Sequence, residues 1–119
     1  MANSEDNKKA EKLTKKAIKE YRKRIPEWQV IHEDSMDKMM RQYKFDEFEK
    51  VMSFTSQLGK LADKEDHHAS LKSSWGKVTV YWWTHSTRKI TEKDYLLAIK
   101  CDRLYTKIIG GVSEDQNDE

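Results

Sequence analysis

Three of the chain's four histidines fall close together, His67 and His68 side by side and His85 beyond them, with acids at Asp63 and Asp94 on the flanks. Imidazole is the side chain best suited to moving protons near neutrality, its ordinary pKa being about 6.5. Two such rings on either side of a reacting bond could serve as acid and base. Asp63 stands four residues before His67, and on a continuous helix the two would share a face. The carboxylate would then orient the ring and suit it to a general acid's role. The same residues have plainer readings. An adjacent histidine pair can be polar loop surface. Three imidazoles can hold zinc, but neighbouring residues point in different directions and the H-x-x-x-H spacing is absent, so no metal is expected. Asp94 stands three residues after Thr91, where a carboxylate caps a helix without any chemical duty.

These residues need elements that bring them to one place. Ala10, Leu13, Ala17 and Tyr21, with Ile18 beside them, recur at helical spacing over residues 9–24. Pro26 closes that helix, because the residue before a proline is pushed out of the α region. Trp28 to His32 reads as a short strand and Met39 to Phe45 as a second, with a hairpin turn over Glu33–Asp37. From Asp46, a plausible N-cap, the residues Phe48, Val51, Met52, Thr55, Leu58 and Ala62 follow a helical stripe that fades over Asp63–Asp66. His67 to Ser74 reads as loop, and Trp75 to Thr84 as one long strand with Val78, Val80 and Trp82 on a single face. Thr91 and Asp94 then open a helix whose stripe is Leu97, Cys101, Leu104, Tyr105 and Ile108, stopped at Gly110-Gly111. We expect an α+β fold, an antiparallel four-stranded sheet with three helices packed on one face, although periodicity locates only three of the strands. One domain over 9–109 is expected, between disordered tails at 1–8 and 110–119.

Composition narrows the setting. Charged residues are 37% and hydrophobic ones 36% of 119, polar for a globular domain. The net charge of +2 hides a basic stretch, Lys8 to Arg24, with nine Lys or Arg against two Glu. No aromatic interleaves that run before Tyr21 and acids share its face, so it reads as solvated helix surface, with no direct nucleic-acid partner. A single cysteine, Cys101, excludes an internal disulfide and suits a reducing compartment. No apolar run has the length of a membrane span and no signal peptide is apparent. A cytoplasmic protein without membrane contact is expected.

The stretch Asp63 to Asp94, DKEDHHASLKSSWGKVTVYWWTHSTRKITEKD, resembles the signature of the pterin-4a-carbinolamine dehydratase family. That pattern is an acidic or polar residue, three spacers, His-His, usually Pro, an aromatic, a Thr-His pair and an Asp. Asp63, His67, His68, Trp75, Thr84, His85 and Asp94 match it at the right spacing. Upstream, Trp28, Tyr43-x-Phe45 and Phe48 resemble the family's tryptophan and its F-x-F-x-x-F segment. Ala69 replaces the usual proline, Thr87-Arg88-Lys89 replaces a stretch that often holds glycine, and Trp82-Trp83 is bulkier than the family's residues there.

The resemblance implies dehydration of 4a-hydroxytetrahydrobiopterin (pterin-4a-carbinolamine) to quinonoid dihydrobiopterin, recycling the cofactor of aromatic amino acid hydroxylases. It implies no cofactor for the enzyme itself, since the pterin is the substrate. By the same resemblance His67 and His85 are the acid/base pair, His68 holds the substrate, and Asp63 tunes or orients His67. Trp28 would offer a flat wall to the pterin ring, and Asp94 would steady the His85 side of the cleft. Homodimers that extend the sheet, or homotetramers made by helix packing, are implied as well. The alternative function in the family is non-enzymatic: a dimerisation cofactor of a homeodomain transcription factor, which would add a nuclear pool to the cytoplasmic one.

Overall fold

The computed structural model of the chain describes residues 13–110. The expected tails at 1–8 and 110–119, apart from Gly110, and residues 9–12 of the helix expected over 9–24, lie outside the described residues. In chain order the elements are α1 (Lys15–Arg24), β1 (Gln29–Glu33), β2 (Met36–Lys44), α2 (Phe48–Lys64), β3 (Ser70–Ser74), β4 (Lys77–Trp82) and α3 (Glu92–Ile109). The strands form one antiparallel sheet in the order β1-β2-β4-β3. The α+β architecture read from the sequence is therefore the one observed.

Alternation along the strands sorts the two faces. Met39 and Tyr43 of β2, with Val78, Val80 and Trp82 of β4, are buried on the helix side. Val51, Phe54 and Leu58 of α2 and Leu97, Ala98 and Cys101 of α3 close over them. Tyr43, Phe45, Phe54 and Tyr105 form the aromatic heart of that layer, their ring centroids 4.7–6.2 Å apart. α1 buries no residue fully; it is held to α3 by Tyr21, which stacks on Tyr95 and donates to Glu92. Partial burial and the Glu92 carboxylate push the Tyr21 phenol up to about 12. No helix among the described residues is long and apolar enough to cross a membrane.

Five boundaries differ from those expected, each for a local reason. β3 lies inside the stretch that reads as loop: in Ser-Leu-Lys-Ser-Ser only Leu71 is apolar, so an edge strand leaves no period to detect. Trp75 belongs to no strand. With Gly76 at φ 75° it makes the β3–β4 turn, and its ring is 76% exposed. A β-carbon on Gly76 would come 3.3 Å from the Phe45 carbonyl oxygen, and the Gly76 carbonyl accepts from Phe45 N–H, so the backbones pack closely there. The β1–β2 turn is only Asp34-Ser35, both at positive φ, which is the twist a two-residue hairpin requires. α1 begins at Lys15 because Thr14 caps it, its hydroxyl accepting from Ala17 N–H, and α2 starts after Glu47 instead of Asp46, without a side-chain cap.

Candidate active site

The end of α2 decides where the first histidine goes. Asp66 takes the left-handed conformation, φ 53°; its N–H donates to the Asp63 carbonyl and the His67 N–H to the Ala62 carbonyl. This pair of bonds is a Schellman motif, completed here by aspartate where glycine is commonest. It turns the chain sharply and carries His67 inward, leaving its side chain 10% exposed. The imidazole lies on Trp82 at 5.8 Å, nearly parallel, and its Nε2 is 2.7 Å from Asp94 Oδ1.

Asp94 itself is 0% exposed, on the first turn of α3. Its other oxygen accepts from the Thr91 N–H at 2.9 Å and from the Thr84 hydroxyl at 2.8 Å, and the two threonine hydroxyls are 2.7 Å apart. A carboxylate at a helix N-terminus is favoured by the aligned peptide dipoles. An ionised carboxylate only accepts hydrogen bonds, so His67 Nε2 carries the proton and donates. Nδ1 has no hydrogen-bond partner among the described residues.

The acids and histidines are paired differently from expectation. Asp63 orients His68, not His67: its Oδ1 is 3.2 Å from His68 Nε2, and both side chains are well exposed. The expectation assumed a helix running on to His67, whereas α2 stops at Lys64 and the turn swings His67 underneath. Asp94 is the partner of His67, and it reaches the His85 side only through Thr84, the residue before it. His85 is exposed and begins a tight turn in which Arg88 N–H donates to the Thr84 carbonyl, with Arg88 at φ 57°. Asp37 N–H donates to the Arg88 carbonyl, tying that turn to the β1–β2 hairpin. The fourth histidine, His32, pairs with Asp37 on the exposed surface of the hairpin.

Trp28 is not among the residues brought together. It is 6% exposed, edge-on to Tyr43, and its indole N–H donates to Asp102. Asp102 also accepts from Arg41 and Tyr43 and lies eight residues beyond Asp94 on α3, about 12 Å along the axis. A ring sunk in that cluster has no open face for a ligand, so the flat wall assigned to Trp28 is corrected to a core support. Sequence reasoning missed Trp82 beneath His67 and the threonine pair around Asp94. Thr91-x-x-Asp94 was legible only as a cap; that the same carboxylate has a second oxygen, free to hold a histidine, depends on contacts across 27 residues. Cys101 is buried, and burial pushes its thiol well up, an effect the N–H of Trp82 donating to Sγ only partly offsets. Among the described residues no three His, Cys, Asp or Glu side chains are grouped to hold a metal ion.

An antiparallel α+β domain that displays histidines where helix and strand ends meet, one of them held by a buried aspartate, defines the class. Residues 11–104 match the family model described as pterin 4 alpha carbinolamine dehydratase. A Chlorobium luteolum protein, provisionally named a pterin-4-alpha-carbinolamine dehydratase, is 35% identical over 81% of this chain and 84% of its own length. A Syntrophotalea carbinolica protein with the same provisional name is 37% identical over 76% of this chain and 81% of its own. The crystal structure of a transcriptional coactivator/pterin dehydratase from Brucella melitensis is similar at a TM-score of 0.67 and 29% identity, covering 78% of this chain and 97% of that one. The chain belongs to the pterin-4a-carbinolamine dehydratase family.

Replacing Asp94 with alanine strands three buried donors. We predict a loss of about 3–5 kcal/mol in denaturant unfolding, as for other broken buried charge networks. Thr84→Val, which removes one donor, should cost about 1.5–3 kcal/mol.

Proposed function

We propose that the protein dehydrates 4a-hydroxytetrahydrobiopterin to quinonoid dihydrobiopterin by histidine acid/base catalysis, in tetrahydrobiopterin recycling in the cytoplasm. The observation that carries this reading is His67, fixed on buried Asp94 by one nitrogen and left with the other for proton exchange. The reaction breaks the C4a–O bond. Hydroxide leaves poorly, so an acid delivers a proton to that oxygen and water departs; a base takes a proton from a ring nitrogen as the double bond forms. His67 and His85 are the proposed acid/base pair, His68 holds the substrate, and Asp63 orients His68. Asp94 touches no substrate; it positions His67. No metal or organic cofactor enters the proposed reaction, because the protons are supplied and removed by imidazoles.

The test is loss of water from a 4a-hydroxypterin generated in situ. The protein should accelerate it, and His67→Ala with His85→Ala should return the rate to background, each imidazole being worth about a hundredfold to ten-thousandfold. The folded double variant turning over unchanged would contradict the assignment, and so would loss of activity on exhaustive chelation.

Homo-oligomers are proposed too, and two features of the exposed surface support the reading. Phe48 and Met52, one turn apart on α2, are each 50% exposed, and Ile109 at the end of α3 is 46% exposed. The outer edges of β1 and β3 have no strand beside them among the described residues. The same α2 face is where a transcription-factor partner would dock, the second reading that the Brucella protein's description as a coactivator favours. Sedimentation at micromolar concentration should give a dimer or tetramer, and Phe48→Lys with Met52→Lys should lower the mass. A monomeric wild-type protein would overturn this.

A further inference from the structure

Away from the histidines, the junction of the three helices holds a concavity of about 190 Å³. Arg24 from the end of α1 and Lys93, Lys100 and Arg103 from α3 surround it, with Glu65, just past α2, as the only acid in its wall. Four cations against one anion leave +3 at this one place, more than the +2 of the whole chain. The floor is apolar: Leu96, Leu97 and Ile99 line it, and Leu96 is 42% exposed although it borders a packed helix junction.

One carboxylate is already seated here. Lys100 donates to Glu65 at 2.9 Å, and that hydrogen bond is the main reason the Glu65 carboxyl sits below its ordinary value. Partial burial opposes the effect; the charges of Lys100, Lys93 and Lys64 add to it. Lys100 is thereby occupied. Among the described residues, Arg24, Lys93 and Arg103 have no carboxylate within ion-pair distance. Guanidinium groups present forked donors that match a carboxylate's two oxygens, and two of the three remaining cations are arginines.

Size and floor limit what fits. Sites for drug-sized ligands measure about 300–1,000 Å³, so this one takes a single ring or a short branched chain, not a nucleotide. An inorganic anion would leave the exposed Leu96 facing water. We infer that the concavity is a binding site for a small organic carboxylate with an apolar body, the acid group on Arg24 and Arg103 and the body on Leu96, Leu97 and Ile99. The site is separate from the histidines, and its occupancy does not depend on the dehydratase reading.

The probe is 3-phenylpropionate, titrated into the ¹⁵N-labelled full chain and followed by amide chemical shifts. Saturable shifts should map to Leu96–Arg103, Glu65 and Arg24. The uncharged 3-phenylpropionamide and acetate, each lacking one half of the match, should bind at least about tenfold more weakly. The double variant Arg24→Gln with Arg103→Gln changes two exposed side chains; it should keep the spectrum of the folded protein and lose about tenfold or more in affinity. The inference is overturned if no saturable shift occurs, if the amide or acetate binds as well as 3-phenylpropionate, if the double variant keeps its affinity, or if the shifts map to the Lys15–Lys23 face of α1.

Discussion

A carboxylate taken wholly out of water must be met by donors, and Asp94 is met from three separate parts of the chain. The backbone at the start of α3 supplies one, the hydroxyl of Thr84 after β4 a second, and the imidazole of His67 after α2 a third. Leaving such a group unmatched costs several kcal/mol. The helix start, the strand end and the α2 turn are therefore held in one arrangement by the same charge. That arrangement fixes the ring of His67 against Trp82. Stability of the junction and orientation of the histidine are one interaction seen from two sides.

α3 repeats the device two turns on. Asp102 accepts from Trp28, Arg41 and Tyr43, linking the helix to β2 and to the chain entering β1. Burial pushes the Tyr43 phenol far above its ordinary range, so it remains a donor throughout the working pH of the protein. Between the two aspartates, Leu97, Ala98 and Cys101 lie in the core. Polar contacts thus set the position of α3 at its first turn and again at mid-helix, and the hydrophobic effect holds the stretch between them. Three cations of α3, Lys93, Lys100 and Arg103, border the apolar concavity.

Much of this was legible in the residues. Helical stripes gave α2 and α3 to within two residues, because Val51, Leu58 and Ala62 and then Leu97 and Cys101 repeat at the spacing that buries them; Phe48 and Met52 of the expected stripe are half exposed, and Phe54, outside it, is buried. β3 was not legible, since an edge strand with one apolar residue carries no alternation. Trp75 misled, because an aromatic next to a β-branched run reads as strand, whereas the φ that Gly76 supplies turns the chain there. The histidines and both aspartates could be singled out from their types. Their pairing could not: it depends on Asp66 adopting a left-handed conformation, which ends α2 and exchanges the neighbours of His67 and His68. Trp28 failed for a related reason, as only the folded chain brings it against Asp102, 74 residues away.

The exposed side of the cluster complements its buried half. His68 and His85 stand in solvent, while His67 is held by stacking on Trp82 and by Asp94. A fixed ring with one committed nitrogen exchanges its proton at one defined place, as acid/base chemistry on a bound substrate requires. The most direct test of that claim is the tautomer of His67, read from the nitrogen chemical shifts of the labelled protein at a pH where the ring is neutral. The proton should reside on Nε2, with slow exchange owing to the bond to Asp94, and that preference should be lost in Asp94→Ala. A neutral ring carrying its proton on Nδ1 would contradict it.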